Sequence, residues 1–257
     1  MRAGAETVSG PAPTLSAEEV EAIRRSRRHP RPTQFDYLHL RFLLRDLTEA
    51  LRAVPQPVHD VLDVWCGSRP YEDLLPLSAR CVGLDVEGNP YGVADVVSNE
   101  VLPFPDASFD LVTCIEAFQF VADPKPALAE FRRVLRPGGW ALVTLPFGFQ
   151  YDRAVSEARY TEHELRALFA GWDDVDVREN GGRIVSWTVL TASIVAAVEQ
   201  RIATKGLPRL LRPLFMITYA CLSAFGLALA KLEDRYSGGR VTLPMNLMLT
   251  AARPRIA

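Results

Sequence analysis

With 257 residues, 48% of them hydrophobic and 23% charged, the chain is globular in composition and long enough for one large α/β domain or two small ones. A formal net charge of −2 argues against a nucleic-acid partner, because a phosphate-tracking surface shows as a basic excess or stripe. Cys66, Cys81, Cys114 and Cys221 form no CxxC pair, so neither a metal site nor a disulfide framework is expected, and with no apolar leader in the first residues the expected location is cytoplasmic.

In chain order, residues 1 to about 14 are small, polar and proline-containing and read as a disordered tail. Ser16 and Glu19 have capping-box spacing, which predicts a helix from Ala17 to about Arg28. Tyr37, Leu40, Leu44, Leu47 and Leu51 then recur at three- and four-residue intervals, the stripe of an amphipathic helix. Residues 1–55 are therefore a tail plus an N-terminal helical layer.

From residue 56 to 257 strands and helices alternate, the mark of a parallel sheet covered on both faces. The first strand is predicted to end near Val64 and the second, RCVGLDV, to carry Asp85 at its end. The third is read at Val93–Val97, the fourth at Phe109–Glu116, and the fifth as WALVTLPF after the Pro137-Gly138-Gly139 stop. Asp123-Pro124 opens the helix before that strand, and Thr161 with Glu164 caps another that runs through Phe169. A sixth strand near residues 174–178 is followed by a hydrophobic helical insertion at 183–240, made of Ile184–Val198 and Pro213–Ala230, and then by a last strand in LPMNLMLTAA.

The stretch VHDVLDVWCGSRPY runs from an apolar strand through a small-residue loop to Pro70, Glu72 and Asp73, which read as a helix start. A dinucleotide fingerprint would place glycines at 65, 67 and 70, where the chain has Trp65, Gly67 and Pro70. Pro70 has no amide N–H to offer a diphosphate and the acidic rim repels one, so a cationic ligand bearing hydroxyls and an amino group fits better.

LDVWCGSRPY, GLDVEGNPY, LPFPDASFDLVTCIEA, FRRVLRPGGWALVTLPF and YTEHELRALFAGW occur in this order, and together they resemble the class I S-adenosylmethionine-dependent methyltransferases of the bacterial small-molecule type. The resemblance covers about Val61 to Trp172 and implies a Rossmann-like α/β fold with a seven-stranded, mostly parallel sheet whose last strand is antiparallel. It implies S-adenosyl-L-methionine as cofactor. Asp63, Cys66, Gly67 and Ser68 match the loop around the methionine portion, and Asp85 matches the acid that accepts from both ribose hydroxyls. Asn99, with Ser98 as the second choice, stands where many relatives have an adenine-reading Asp, and Glu116 matches the end of the fourth strand beside the cofactor.

Two departures bear on activity. Trp65 occupies a glycine position of the loop, and EAFQFVAD replaces the Glu-His pair of many relatives, so that Gln119 and Phe120 supply no general base. His39, His29, His59 and His163 read as surface or packing residues, and no catalytic residue is named. The insertion admits three readings: a lid over the site, a homodimer interface, or a hairpin making peripheral membrane contact through residues 183–240. The expected function is methyl transfer, by O-methylation, to a small or lipid-linked acceptor; Tyr37, Phe147, Tyr151, Tyr160 and the late helices are candidate pocket walls, although aromatic residues at such spacings are more often core. The alternative is a catalytically weakened binding or scaffold protein associated with membranes.

Overall fold

The computed structural model describes residues 14–76, 78–98, 101–149, 155–203, 208–236 and 243–255. The predicted tail to residue 13, Asn99 and Tyr151 lie outside the described residues.

Helix α1 (Ala17–Arg28) opens with the reciprocal capping box: Ser16 accepts from the Glu19 amide, and the Ser16 N–H donates to the Glu19 carboxylate at 2.8 Å. Arg25, Arg27 and Arg28 close it, as the helix dipole favours. In α2 (Tyr37–Ala53), Leu40, Leu43, Leu47 and Leu51 are buried, each contributing roughly 1.5–3 kcal/mol when fully covered.

The strands are β1 (Asp60–Val64), β2 (Arg80–Asp85), β3 (Val96–Val97), β4 (Phe109–Ile115), β5 (Leu135–Pro146), β6 (Asp173–Asn180) and β7 (Asn246–Ala252). They form one seven-stranded sheet in the order β3-β2-β1-β4-β5-β7-β6. Pairing is parallel from β3 through β5, and β7 runs antiparallel to both β5 and β6.

Because side chains alternate along a strand, neighbouring apolar residues feed opposite layers. Leu62, Val112, Val143 and Leu249 pack under α3 (Pro124–Val134) and α4 (Glu162–Leu168), meeting Leu128, Phe131 and Leu165. Their neighbours Val61, Leu111, Leu142 and Met248 pack under α2, meeting Leu43 and Leu47. The double-faced Rossmann-like architecture follows from this alternation of two-sided apolar strands with one-sided helices.

Three local readings are corrected. The helix expected after the first loop is a single 3-10 turn, Glu72–Leu74, and Leu75 is already extended. Leu75 precedes Pro76, and a residue before proline is pushed out of the helical region. The third strand is two residues, Val96–Val97, not 93–97. Asp95 instead spends its carboxylate on the Gly83 N–H at 2.8 Å and its own N–H on the Gly83 carbonyl. The fifth strand begins at Leu135 and runs through Pro137-Gly138-Gly139, where a register shift opposite Phe109/Leu111 accommodates the proline.

The insertion is a helical pair, α5 (Arg183–Ala203) and α6 (Pro208–Tyr236). A Cβ on Gly226 would stand 2.6 Å from Thr188 Oγ1 and 2.9 Å from Leu38, so glycine is what lets α6 close on α5 and α2. Glu233 ties the other end, accepting from Arg183 at 2.8 Å and from the Ile184 N–H at 3.0 Å.

Candidate active site

The loop leaving β1 has a regular backbone: Trp65, Gly67 and Arg69 take φ values of 55°, 55° and 54°. Only glycine adopts this left-handed conformation freely, and each L side chain there costs roughly 1–2 kcal/mol. Long-range contacts hold the two strained residues. The Arg69 guanidinium binds Asp95 and Glu72, each at 2.7 Å, and the Trp65 indole packs toward α3, its centroid 6.0 Å from Phe131.

Asp85, buried at the end of β2, pins the loop. Its Oδ2 accepts from the Gly67 N–H at 2.7 Å and from Asn89 Nδ2 at 2.6 Å, and its Oδ1 accepts from the Val86 N–H at 2.8 Å. Helix α1 clamps the other side, where Arg24 donates to the Ser68 carbonyl and Arg28 pairs with Asp73 at 2.7 Å.

Between this loop, the end of β4 and the α1–α2 layer lies a cavity of about 1210 Å³, at the upper end of or beyond the roughly 300–1,000 Å³ of ordinary ligand pockets. Asp63, Cys66, Gly67, Ser68, Asp85 and Glu116 all line it. Asn99 lies outside the described residues. The cavity sits beyond the carboxyl ends of β1, β2 and β4, where parallel sheets bind ligands.

Its floor is acidic. Burial pushes the Asp63 carboxyl up to about 6, against an opposing hydrogen bond from Thr113 Oγ1 at 2.8 Å. Burial likewise pushes Glu116 up to about 7, although Thr144 Oγ1 and Asn246 Nδ2 donate to its Oε1 at 3.0 and 2.9 Å. Glu116 is itself held at φ 56°, and its N–H donates to Thr144 Oγ1. Burial also raises the Cys66 thiol far above the usual range, so this sulfur is an inert liner.

The roof contains a residue that sequence reasoning set aside. His39 is buried in the cavity wall, with Nε2 3.7 Å from Glu116 Oε2 and its ring stacked on Phe149 at 5.1 Å. Burial, with Arg27 nearby, pushes its imidazole down to about 4. The signal was available in α2: His39 stands four and eight residues before Leu43 and Leu47, which are fully buried, so the buried face of that helix projects it over the sheet edge.

Chemically the cavity suits a cation. Against one guanidinium, that of Arg27, its lining sets the carboxyl groups of Asp36, Asp63, Asp85, Glu116 and Glu157, and the buried Gln119 Oε1 has no hydrogen-bond partner among the described residues. An ammonium, a sulfonium and two hydroxyls match such an acceptor-rich surface. The left-handed Gly67 lets the backbone approach a ligand closely.

Comparison with known proteins agrees. Residues 62–143 match the model of a methyltransferase domain family. Over those residues, about a third of the chain, the protein is similar to a methyltransferase domain. It is 36% identical over 145 residues to a demethylmenaquinone methyltransferase of Renibacterium salmoninarum, which is 48% of this chain and 55% of that protein. It is 32% identical over 95 residues to a ubiquinone biosynthesis O-methyltransferase of Paraburkholderia phymatum, 31% of this chain and 41% of that one. The chain thus spans about half or less of these relatives. Among solved structures, the [4+2]-cyclase SpnF superposes with a TM-score of 0.54 at 23% identity, over 85% of this chain and 82% of that one, a likeness of fold.

Within the matched region Trp65 does not fill the cavity; it forms one edge of it while resting on the α3 core. Trp65→Gly is expected to tighten S-adenosylmethionine binding about three- to tenfold, roughly 1 kcal/mol, by removing that edge. Calorimetric titration of both forms checks this; equal affinity would show that the indole stands clear of the ligand.

Proposed function

We propose that the protein transfers a methyl group from S-adenosylmethionine to a ring hydroxyl of an apolar, quinol-type acceptor. The observation that carries the reading is the convergence of Asp63, Gly67, Asp85 and Glu116 on one large cavity beyond the strand ends. The quinol class is supported by the names of the two relatives and by the apolar part of the wall, where Phe35, Phe120, Pro146 and Phe149 line the cavity.

When bound, S-adenosylmethionine supplies an electrophilic methyl on a sulfonium. Asp63 and Gln119 would face its ammonium, Asp85 its ribose hydroxyls, and the Gly67 turn would wrap the methionine chain. Glu116 Oε2 is the proton acceptor this chain offers to a ring hydroxyl. Its raised pKa of about 7 is near operating pH, where a general base is most effective. His39, neutral and with Nε2 3.7 Å away, lies beside that oxygen. Alignment of acceptor and methyl supplies the rest of the barrier reduction.

A second reading, transfer to a ring carbon, is favoured by the name of another relative, a ubiquinone/menaquinone biosynthesis C-methyltransferase of Geobacter sulfurreducens, and a hydroxyl ionised by the same Glu116 would activate that carbon too. Incubation with methyl-labelled S-adenosylmethionine and a short-chain hydroquinone tests the reading. A labelled product that has lost one ring hydroxyl supports oxygen transfer, one that keeps both hydroxyls supports carbon transfer, and no labelled quinol would refute both.

A further inference from the structure

One surface of the molecule plays no part in the cavity. Along α6, Leu210, Leu214, Ile217, Cys221, Phe225 and Leu232 recur at three-, four- and seven-residue steps and are exposed, from 85% at Leu210 to 51% at Leu232 among the large apolar ones. The opposite stripe, Tyr219, Ser223, Gly226 and Ala230, is buried. Helix α6 therefore shows a polar or small-residue side to the protein and an apolar side to the outside, the reverse of an ordinary surface helix. At 1.5 Å per residue the outward strip is about 33 Å long. Helix α5 adds Trp187, Ile194 and Val198, all about half exposed or more. A contiguous strip of this kind marks an interaction surface, unlike singly scattered apolar residues.

The charges say what covers it. In the sequence, Lys205, Arg209 and Arg212 fall between the end of α5 and the first turns of α6, no Asp or Glu occurs between Glu199 and Glu233, and near the end of α6 Lys231 and Arg235 flank Glu233 and Asp234. Glu233 is itself engaged by Arg183 and the Ile184 N–H. An apolar strip that starts in a basic segment complements an anionic lipid surface, and Trp187 suits the headgroup boundary. A second copy would bring the same basic segment against its own. Among the described residues, one helix, Leu210–Glu233, is long and apolar enough to cross a bilayer. Its inner stripe, however, is committed to α5 and α2, which leaves only one side for lipid.

We infer that the α5–α6 hairpin docks in the plane of an anionic lipid bilayer, burying its outer apolar stripes among the acyl chains. Phe149 links this element to the cavity: it lines the cavity and also packs against the buried cluster to which Val185, Val189 and Ala230 of the hairpin belong. A lipophilic molecule leaving the bilayer would meet the cavity wall at that point. The docking itself does not depend on methyl transfer, so a failure here and a failure of the catalytic reading are separately visible.

The test is co-sedimentation of the full chain, without cofactor, with phosphatidylcholine vesicles and with vesicles containing about 30 mol% phosphatidylglycerol. The expected result is a partition coefficient several-fold higher on the anionic vesicles, falling with salt, and lowered at least tenfold in Ile217→Glu/Phe225→Glu. Both side chains are exposed, so the variant should melt like the wild type; should it not, Ile217→Asn alone carries the comparison, with a several-fold loss expected. Absence of wild-type binding, binding the variants retain, or a dimer in light scattering that the variants dissociate would each overturn the inference, the last by showing that a second copy covers this face.

Discussion

Glu116→Gln is expected to lower kcat by about 100- to 10,000-fold, the range for loss of a positioned general base. Glutamine keeps an oxygen for Thr144 and Asn246, so the strand ends stay joined while the proton acceptor disappears. The wild-type rate should rise with pH through about 7, where the Glu116 carboxyl ionises, and then level off. That limb should be absent in Glu116→Gln and present, at reduced rate, in Glu116→Asp. A merely structural role would lower the rate at every pH without removing the limb.

The same shift makes a stability statement of fixed sign. The folded-state pKa of Glu116 lies above its unfolded value, so its contribution to stability is fully present below about pH 4 and is lost as pH rises through about 7. Asp63, raised to about 6, acts in the same direction over a narrower window. His39, lowered to about 4, acts in the opposite direction, gaining stability as pH rises from about 4 to 6.5. Above pH 8 the Glu116→Gln variant should therefore melt no lower than the wild type, because a buried charge costing up to about 3 kcal/mol is gone. A thermal melt at pH 8.5 separates lost catalysis from lost folding.

Affinity for S-adenosylmethionine is expected to follow Asp63. A cationic ligand favours the ionised carboxylate, so below the pKa of about 6 the dissociation constant should rise about tenfold per pH unit. Between pH 7 and 7.5 it should be nearly flat. Asp63→Asn should flatten the slope and weaken binding at pH 7.5 by about 10- to 100-fold, in line with roughly 1.5–3 kcal/mol for a hydrogen bond to a charged group. Glu116→Gln, in contrast, should keep the slope below pH 6. Calorimetric titrations at pH 5, 6 and 7.5 distinguish these outcomes.

Much of the architecture was legible because the local signals agree with one another. Both capping boxes, at Ser16/Glu19 and Thr161/Glu164, form as their spacing implies, and the apolar runs ending at Val64, Asp85 and Ile115 are the strands that carry the site. Asp63, Cys66, Gly67, Ser68, Asp85 and Glu116 were found together because each stands at or just past a strand end, and parallel order brings those ends to one edge.

What was not legible depends on contacts between distant segments. The composition of α2 does not say that His39 will meet Glu116, since that requires the helix to extend past the sheet. A short proline effect at Leu75-Pro76 outweighed two carboxylates that looked like a helix start. Trp65 was the sharpest ambiguity. Sequence showed a bulky residue at a glycine position but not the direction of its ring, which is set by Phe131 on a helix that follows much later in the chain.

The central claim is that this cavity holds S-adenosylmethionine, and the most direct measurement is a calorimetric titration of the wild-type chain with that ligand at pH 7.5. One molecule bound per chain, with affinity lost in Asp63→Asn, is the predicted result. A cooperatively folded protein that takes up no S-adenosylmethionine at millimolar concentration would contradict it.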